Sequence, residues 1–265
     1  MRRQNRLNFE VTGDSGSPAV LFLHGFMGSS ADWREITTAL EVRSLCIAVD
    51  LPGHGASLGM GPEAYTIDGA ARAVICTLDE LGIERPVIAG YSMGGRLALY
   101  LALRYPERCS GLFLESTSPG LERAEERTAR READEEKAKR LESRDFEEFL
   151  EDWYRQPLFA SLASDEKLLR RTIEARLRND PAELARSLRR MGTGSQPSLW
   201  GELERLAIPA LSVAGVLDEK YAGISSRMAG LSPWMESVVI PETGHTVHAE
   251  APAVYVSLLL RFMED

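Results

Sequence analysis

Six short runs of branched and aromatic apolar residues limit the architecture of this chain more than any motif does. They are AVLFL (19–23), LCIAVD (45–50), PVIAG (86–90), SGLFLE (110–115), ALSVAG (210–215) and SVVIP (237–241). None alternates as a strand with one wet face would, so each reads as a strand buried on both faces. Helix-like segments separate them. Strands of this kind need helices on both sides of one sheet, which predicts an α/β domain with a mostly parallel sheet and ligands at the carboxyl ends of its strands. LNFEVTG, near the start, predicts an additional edge strand.

The rhythm breaks between Glu115 and Leu206, where no convincing strand occurs. ERAEERTARREADEEKAKR has alanine as its only apolar residue and therefore cannot pack as a helix against a sheet. Its opposite charges at i,i+4 spacing, Glu126 with Arg130, Glu135 with Lys139 and Glu136 with Arg140, predict an exposed helix. Phe146, Phe149, Leu150 and Trp153 then share one helical face. The expected organisation is an α/β core in two pieces, 1–117 and 205–265, with a helical cap inserted at 118–204.

GYSMG directly follows the run PVIAG and precedes GRLALYLALRYP, a strong helix former. Strand, Gly-x-Ser-x-Gly, helix is the order of a nucleophile elbow, in which the turn is too sharp for side chains at the glycines and the helix amino terminus favours negative charge. Ser92 is the candidate nucleophile. Of the four histidines, His245 in ETGHTVHAE lies just beyond the final strand, where a loop can bring an imidazole over the elbow. His24, His54 and His248 are read as structural. Asp218, after the strand ALSVAG, completes the Ser, Asp, His order and would orient the imidazole. Glu219 and Glu115 are its rivals. Backbone N–H groups of Met93, after the nucleophile, and of Phe26, in HGFMGSS, are the candidate oxyanion donors. Gly25 and Gly28 are expected to let that loop pass close to a ligand.

A formal charge of -9 argues against nucleic acid and other polyanionic partners, so an anionic ligand would need cations concentrated at its site. Cysteines 46, 76 and 109 are odd in number and scattered, as expected of reduced thiols in a cytoplasmic protein rather than of a disulfide or metal site. No apolar run reaches the roughly 18 residues of a membrane span. The opening MRRQNRLNFEVTG lacks the apolar stretch of an export signal. Nothing in the sequence specifies an oligomeric state.

LHGFMGS, DLPGHGAS, GYSMGG, LD after a strand and TGHTVHAE together resemble the α/β-hydrolase superfamily over nearly the whole chain. A narrower resemblance is carried by the arginine after the elbow together with STSPGLERAEERTARREAD, WYRQPLFASL and MGTGSQPSLW. Those segments are similar to the 2-succinyl-6-hydroxy-2,4-cyclohexadiene-1-carboxylate synthases of menaquinone biosynthesis. That resemblance implies the α/β-hydrolase fold and a lyase without cofactor or metal, in which the triad promotes elimination of pyruvate from a small polycarboxylate. It also implies substrate binding by Tyr91, Arg96, Arg130, Trp153 and Arg176, with Arg170, Arg171 and Arg178 as alternative registers for Arg176 and Arg127 as a spare candidate on the charged helix. A hydrolase of esters or carbon–carbon bonds, and a ligand receptor on the same fold, are the competing readings.

Overall fold

A computed structural model describes residues 6–264; residues 1–5 and 265, counted above with the two core pieces, lie outside the described residues. Seven strands form one sheet: β1 (Phe9–Thr12), β2 (Ala19–Leu23), β3 (Leu45–Val49), β4 (Val87–Tyr91), β5 (Gly111–Glu115), β6 (Ala210–Gly215) and β7 (Met235–Ile240). Their order across it is β1-β3-β2-β4-β5-β6-β7. Only β1 runs antiparallel, pairing Phe9 with Val49 and Thr12 with Cys46 at the edge. Every residue of β3, β4, β5 and β6 is buried, as unalternated apolar runs require. The six predicted runs therefore match the strands to within two residues at each end, and LNFEVTG contains the edge strand.

Helices cover both faces. On one side α1 (Arg34–Leu40) supplies Ile36 and Leu40 to a core shared with Trp33, Phe113, Tyr255 and Leu259. On the other, α2 (Ile67–Leu81) and α3 (Met93–Arg104) bury Val74, Leu78, Leu97 and Leu101. Between β5 and β6 come five helices: α4 (Ala124–Ser143), α5 (Phe146–Tyr154), α6 (Ala160–Ser164), α7 (Glu166–Arg176) and α8 (Pro181–Met191). They close their own apolar cluster, with Phe149, Leu150, Tyr154, Leu184 and Leu188 at its centre and Met27 of the core beneath. The chain ends with α9 (Glu219–Leu231), α10 (Val247–Glu250) and α11 (Pro252–Glu264).

The charged helix α4 departs from its predicted pairing. Arg130 bonds Asp134 at 2.7 Å, Lys139 bonds Glu136, and Glu135 bonds Arg189 of α8. Packing on α8 explains the difference, because Ala138 and Leu141 are buried there and the cross-helix arginine outcompetes local partners. Among the described residues no helix is long and apolar enough to cross a membrane.

Candidate active site

Ser92 stands between β4 and α3 with φ 50 and ψ -106, a conformation costing an L-residue about 1–3 kcal/mol. The neighbouring glycines make that turn possible: a Cβ on Gly94 would lie 2.1 Å from the Leu23 carbonyl oxygen, and one on Gly90 would lie 2.6 Å from that of Gly94. Met93 begins α3, so its N–H has no carbonyl within the helix to bond. Phe26 lines the same cavity from the loop after β2. The missing side chains of Gly25 and Gly28 leave room for the Tyr91 ring and the Asp32 carboxylate.

Ser92, His245 and Asp218 form one hydrogen-bonded line. Ser92 Oγ lies 3.2 Å from His245 Nε2, and His245 Nδ1 lies 2.6 Å from Asp218 Oδ2. Asp218 is itself fixed, because it caps α9 by accepting from the Tyr221 N–H at 3.2 Å. Neither rival for its place bonds His245, although Glu219 lines the same cavity. Glu219 is exposed, and Glu115 is fully buried against His248, accepting from the His248 N–H at 3.1 Å and lying 2.9 Å from its Nδ1. Burial alone would lower the His248 pKa, but the charge of Glu115 and the hydrogen bond to it outweigh burial and raise it. His24 accepts from the Leu51 N–H at 2.9 Å through Nε2, so its Nδ1 carries the proton donated to the Gly25 carbonyl. That ring ties two loops together, and burial lowers its pKa and that of neighbouring His54.

A cavity of about 510 Å³ opens above this line, and its wall is unusually cationic for an acidic protein. All five residues expected to bind substrate lie on it: Tyr91, Arg96, Arg130, Trp153 and Arg176. Among the alternatives, Arg127 turns to the Leu121 and Glu122 carbonyls and Arg178 is exposed; neither lines the cavity.

The arginines differ in what holds them. Arg96 is 9% exposed and bonds only neutral acceptors, the Met191 carbonyl at 3.1 Å and the Gln196 side-chain oxygen. Burial pushes its pKa down to about 10, so it stays charged at neutral pH. Arg176 instead bonds Asp32 at 2.6 Å and the Tyr154 hydroxyl at 3.1 Å. Burial would lower its pKa, but Asp32 raises it, while Asp32 itself is held low by Arg176 against its own burial. Arg130 is intermediate, paired with buried Asp134 yet 35% exposed. Trp153 stacks on Phe149 and meets Phe26 at 5.5 Å between ring centroids.

Sequence reasoning missed three residues at or behind the cavity wall. Gln196 sits inside the quoted segment MGTGSQPSLW, but no spacing rule connects it to Arg96, one hundred positions away. Asp32, the partner of Arg176, is equally remote in sequence. Lys137 also lines the cavity and had a detectable signal, since 130, 134 and 137 fall on one helical face. Among the described residues, no group of three or more His, Cys, Asp and Glu side chains is arranged to hold a metal.

Comparison with known proteins adds independent findings. The model of the α/β hydrolase fold family matches residues 18–252. A Bacillus subtilis (strain 168) protein, provisionally named a 2-succinyl-6-hydroxy-2,4-cyclohexadiene-1-carboxylate synthase, is 38% identical across 95% of this chain and 92% of its own length. The synthase of that name from Serratia proteamaculans (strain 568) is 34% identical, covering 95% of both chains. Among solved structures, MenH from S. aureus superposes with a TM-score of 0.92 at 33% identity, over 98% of each chain.

Proposed function

Because the chain belongs to the α/β-hydrolase family and, within it, to the 2-succinyl-6-hydroxy-2,4-cyclohexadiene-1-carboxylate synthases, we propose that it is a pyruvate-eliminating lyase acting on 2-succinyl-5-enolpyruvyl-6-hydroxy-3-cyclohexene-1-carboxylate. The observation that carries this reading is Arg96, a buried guanidinium one helical turn from Ser92 with no acidic partner. Hydrolysis of a neutral ester does not call for it. A desolvated charge left without a counterion lowers stability, and an anionic substrate supplies what the protein withholds.

In this reading Asp218 holds the His245 tautomer whose Nε2 accepts the Ser92 proton. The serine oxygen then removes the proton on the ring carbon bearing the succinyl group, which the adjacent ketone acidifies. The electron pair shifts through the ring double bond and expels the enolpyruvyl oxygen. One carbon–hydrogen and one carbon–oxygen bond break, a second ring double bond forms, and the released enolate takes up a proton to become pyruvate. Charge that gathers on the ketone oxygen is received by the Phe26 and Met93 N–H groups. Tyr91, Arg96, Arg130, Trp153 and Arg176 hold the polycarboxylate. Residues 118–204 act as the cap over a core formed by 1–117 and 205–265, in a protein of the cytoplasm.

The test is to supply the enolpyruvyl substrate and follow pyruvate and the cyclohexadiene chromophore together. Both should rise in equal amounts, and Ser92→Ala should slow them by roughly 10²–10⁴-fold, the usual contribution of positioned proton transfer. Equal rates for wild type and variant, or turnover of simple esters without pyruvate, would overturn the assignment.

A further inference from the structure

Five basic side chains line the cavity, Arg96, Arg130, Lys137, Arg176 and Lys220, and two of them, Arg130 and Arg176, already have a carboxylate. Arg96 and the exposed Lys220 of α9 are two of the three without. Lys137 is the third: it is half-buried on α4, and among the described residues no carboxylate lies within ion-pairing distance of its ammonium group. The nearby acids of its helix are engaged elsewhere, Asp134 with Arg130, Glu135 with Arg189 and Glu136 with Lys139. Its Nζ stands 5.5 Å from the centroid of the Trp153 ring, which is itself part of the cavity wall.

We infer that Lys137 is a substrate-binding residue, supplying a carboxylate subsite where α4 lines the cavity, in addition to that of Arg96 on α3. The inference deepens the proposed reaction and rests on it for the identity of the ligand. A ligand with several carboxylates needs cations at separated points, and Arg96 provides one on α3 beneath the nucleophile. Arg176 adds little net charge because Asp32 cancels it. Lys137 supplies a further unpaired charge from α4, and the Trp153 face beside it offers an apolar surface for the ring. A lysine suits the position because its flexible stem can follow a ligand that enters between the helices. Burial and the neighbouring Arg130 lower its pKa, as expected of an ammonium group without a counterion.

Two variants test this. Lys137→Met keeps the aliphatic stem against Trp153 and removes the charge, and Lys137→Arg keeps the charge. In pyruvate release, Lys137→Met should raise KM about tenfold with kcat within about threefold, the pattern of lost ground-state binding, whereas Lys137→Arg should stay near wild type. An unchanged KM in Lys137→Met, or equal impairment in both variants, overturns the inference while leaving the proposed reaction intact. If the wild type releases no pyruvate, the reaction fails instead, and calorimetric titration with propane-1,2,3-tricarboxylate judges the subsite separately. There, affinity reduced at least about fivefold in Lys137→Met and preserved in Lys137→Arg supports it. No binding by wild type, or equal affinity in all three proteins, overturns it.

Discussion

Arg96 and Arg176 are two buried guanidinium groups on the wall of one cavity, and they are held in opposite ways. Arg176 closes an ion pair with Asp32 that joins helix α7 to the segment after β2. Arg96 rests on neutral oxygens, with no carboxylate among its partners to cancel its charge. The same residue type is thus neutralised inside the protein in one place and left with neutral partners in the other. What separates the two is the partner, which composition and spacing do not reveal.

The largest expected effect would break this contrast outright. Arg176→Met strips a nearly enclosed carboxylate of its counterion, and leaving a buried charge unpaired costs about 3–5 kcal/mol. Its midpoint in urea denaturation should fall accordingly. Arg96→Met leaves no orphaned acid behind, so its midpoint should match or exceed that of wild type, while kcat/KM falls roughly 10–150-fold, the equivalent of 1.5–3 kcal/mol in charge-assisted bonds. If Arg96→Met is the less stable of the two variants, the assignment of roles is reversed.

A smaller change sharpens the comparison without touching either arginine. Gln196→Glu would give Arg96 the kind of partner that Arg176 already has, since the side-chain oxygen of Gln196 accepts from the guanidinium. The expected result is KM raised about tenfold with the fold intact, because the substrate must now compete with an internal carboxylate. An unaltered KM would mean that the charge of Arg96 is not what the ligand meets.

The sequence made much of the sheet legible because doubly buried strands need continuous apolar runs, and LCIAVD or ALSVAG can do little else. Gly90, Ser92 and Gly94 were legible for a similar reason: the turn excludes side chains on backbone grounds alone. The meeting of Ser92, His245 and Asp218 could be anticipated from strand ends, since each follows or lies close behind the end of a strand on one edge of the sheet. Arg130 was read with the wrong neighbour, Glu126, because the i-4 and i+4 acids are equivalent in sequence and only packing on α8 tells them apart. Asp32 and Gln196 stayed hidden because long-range polar contacts are set by how the helices lie over the core, information that no local period carries.

The smallest effect concerns the second histidine–carboxylate pair, three residues from the first. His245 lies within hydrogen-bonding distance of Ser92, whereas His248 is clamped between Glu115 and the rings of Trp33 and Tyr91. Its pKa is raised above 6.5 in the folded protein, so the stability it confers is complete below pH 6.5 and fades as pH climbs through the folded value. Comparing wild type with His248→Gln by urea denaturation from pH 5.5 to 8.5 should therefore give a difference in stability that is largest at the acid end and shrinks toward the alkaline end. A constant difference would mean that the imidazole stays neutral throughout and acts by packing alone. Asp32 and Arg176 bear on the same imidazole with opposite signs, Asp32 raising its pKa and Arg176 lowering it. Arg176→Met should then carry the loss of the His248 contribution to higher pH, and a shift to lower pH would contradict the neutralised character of that ion pair.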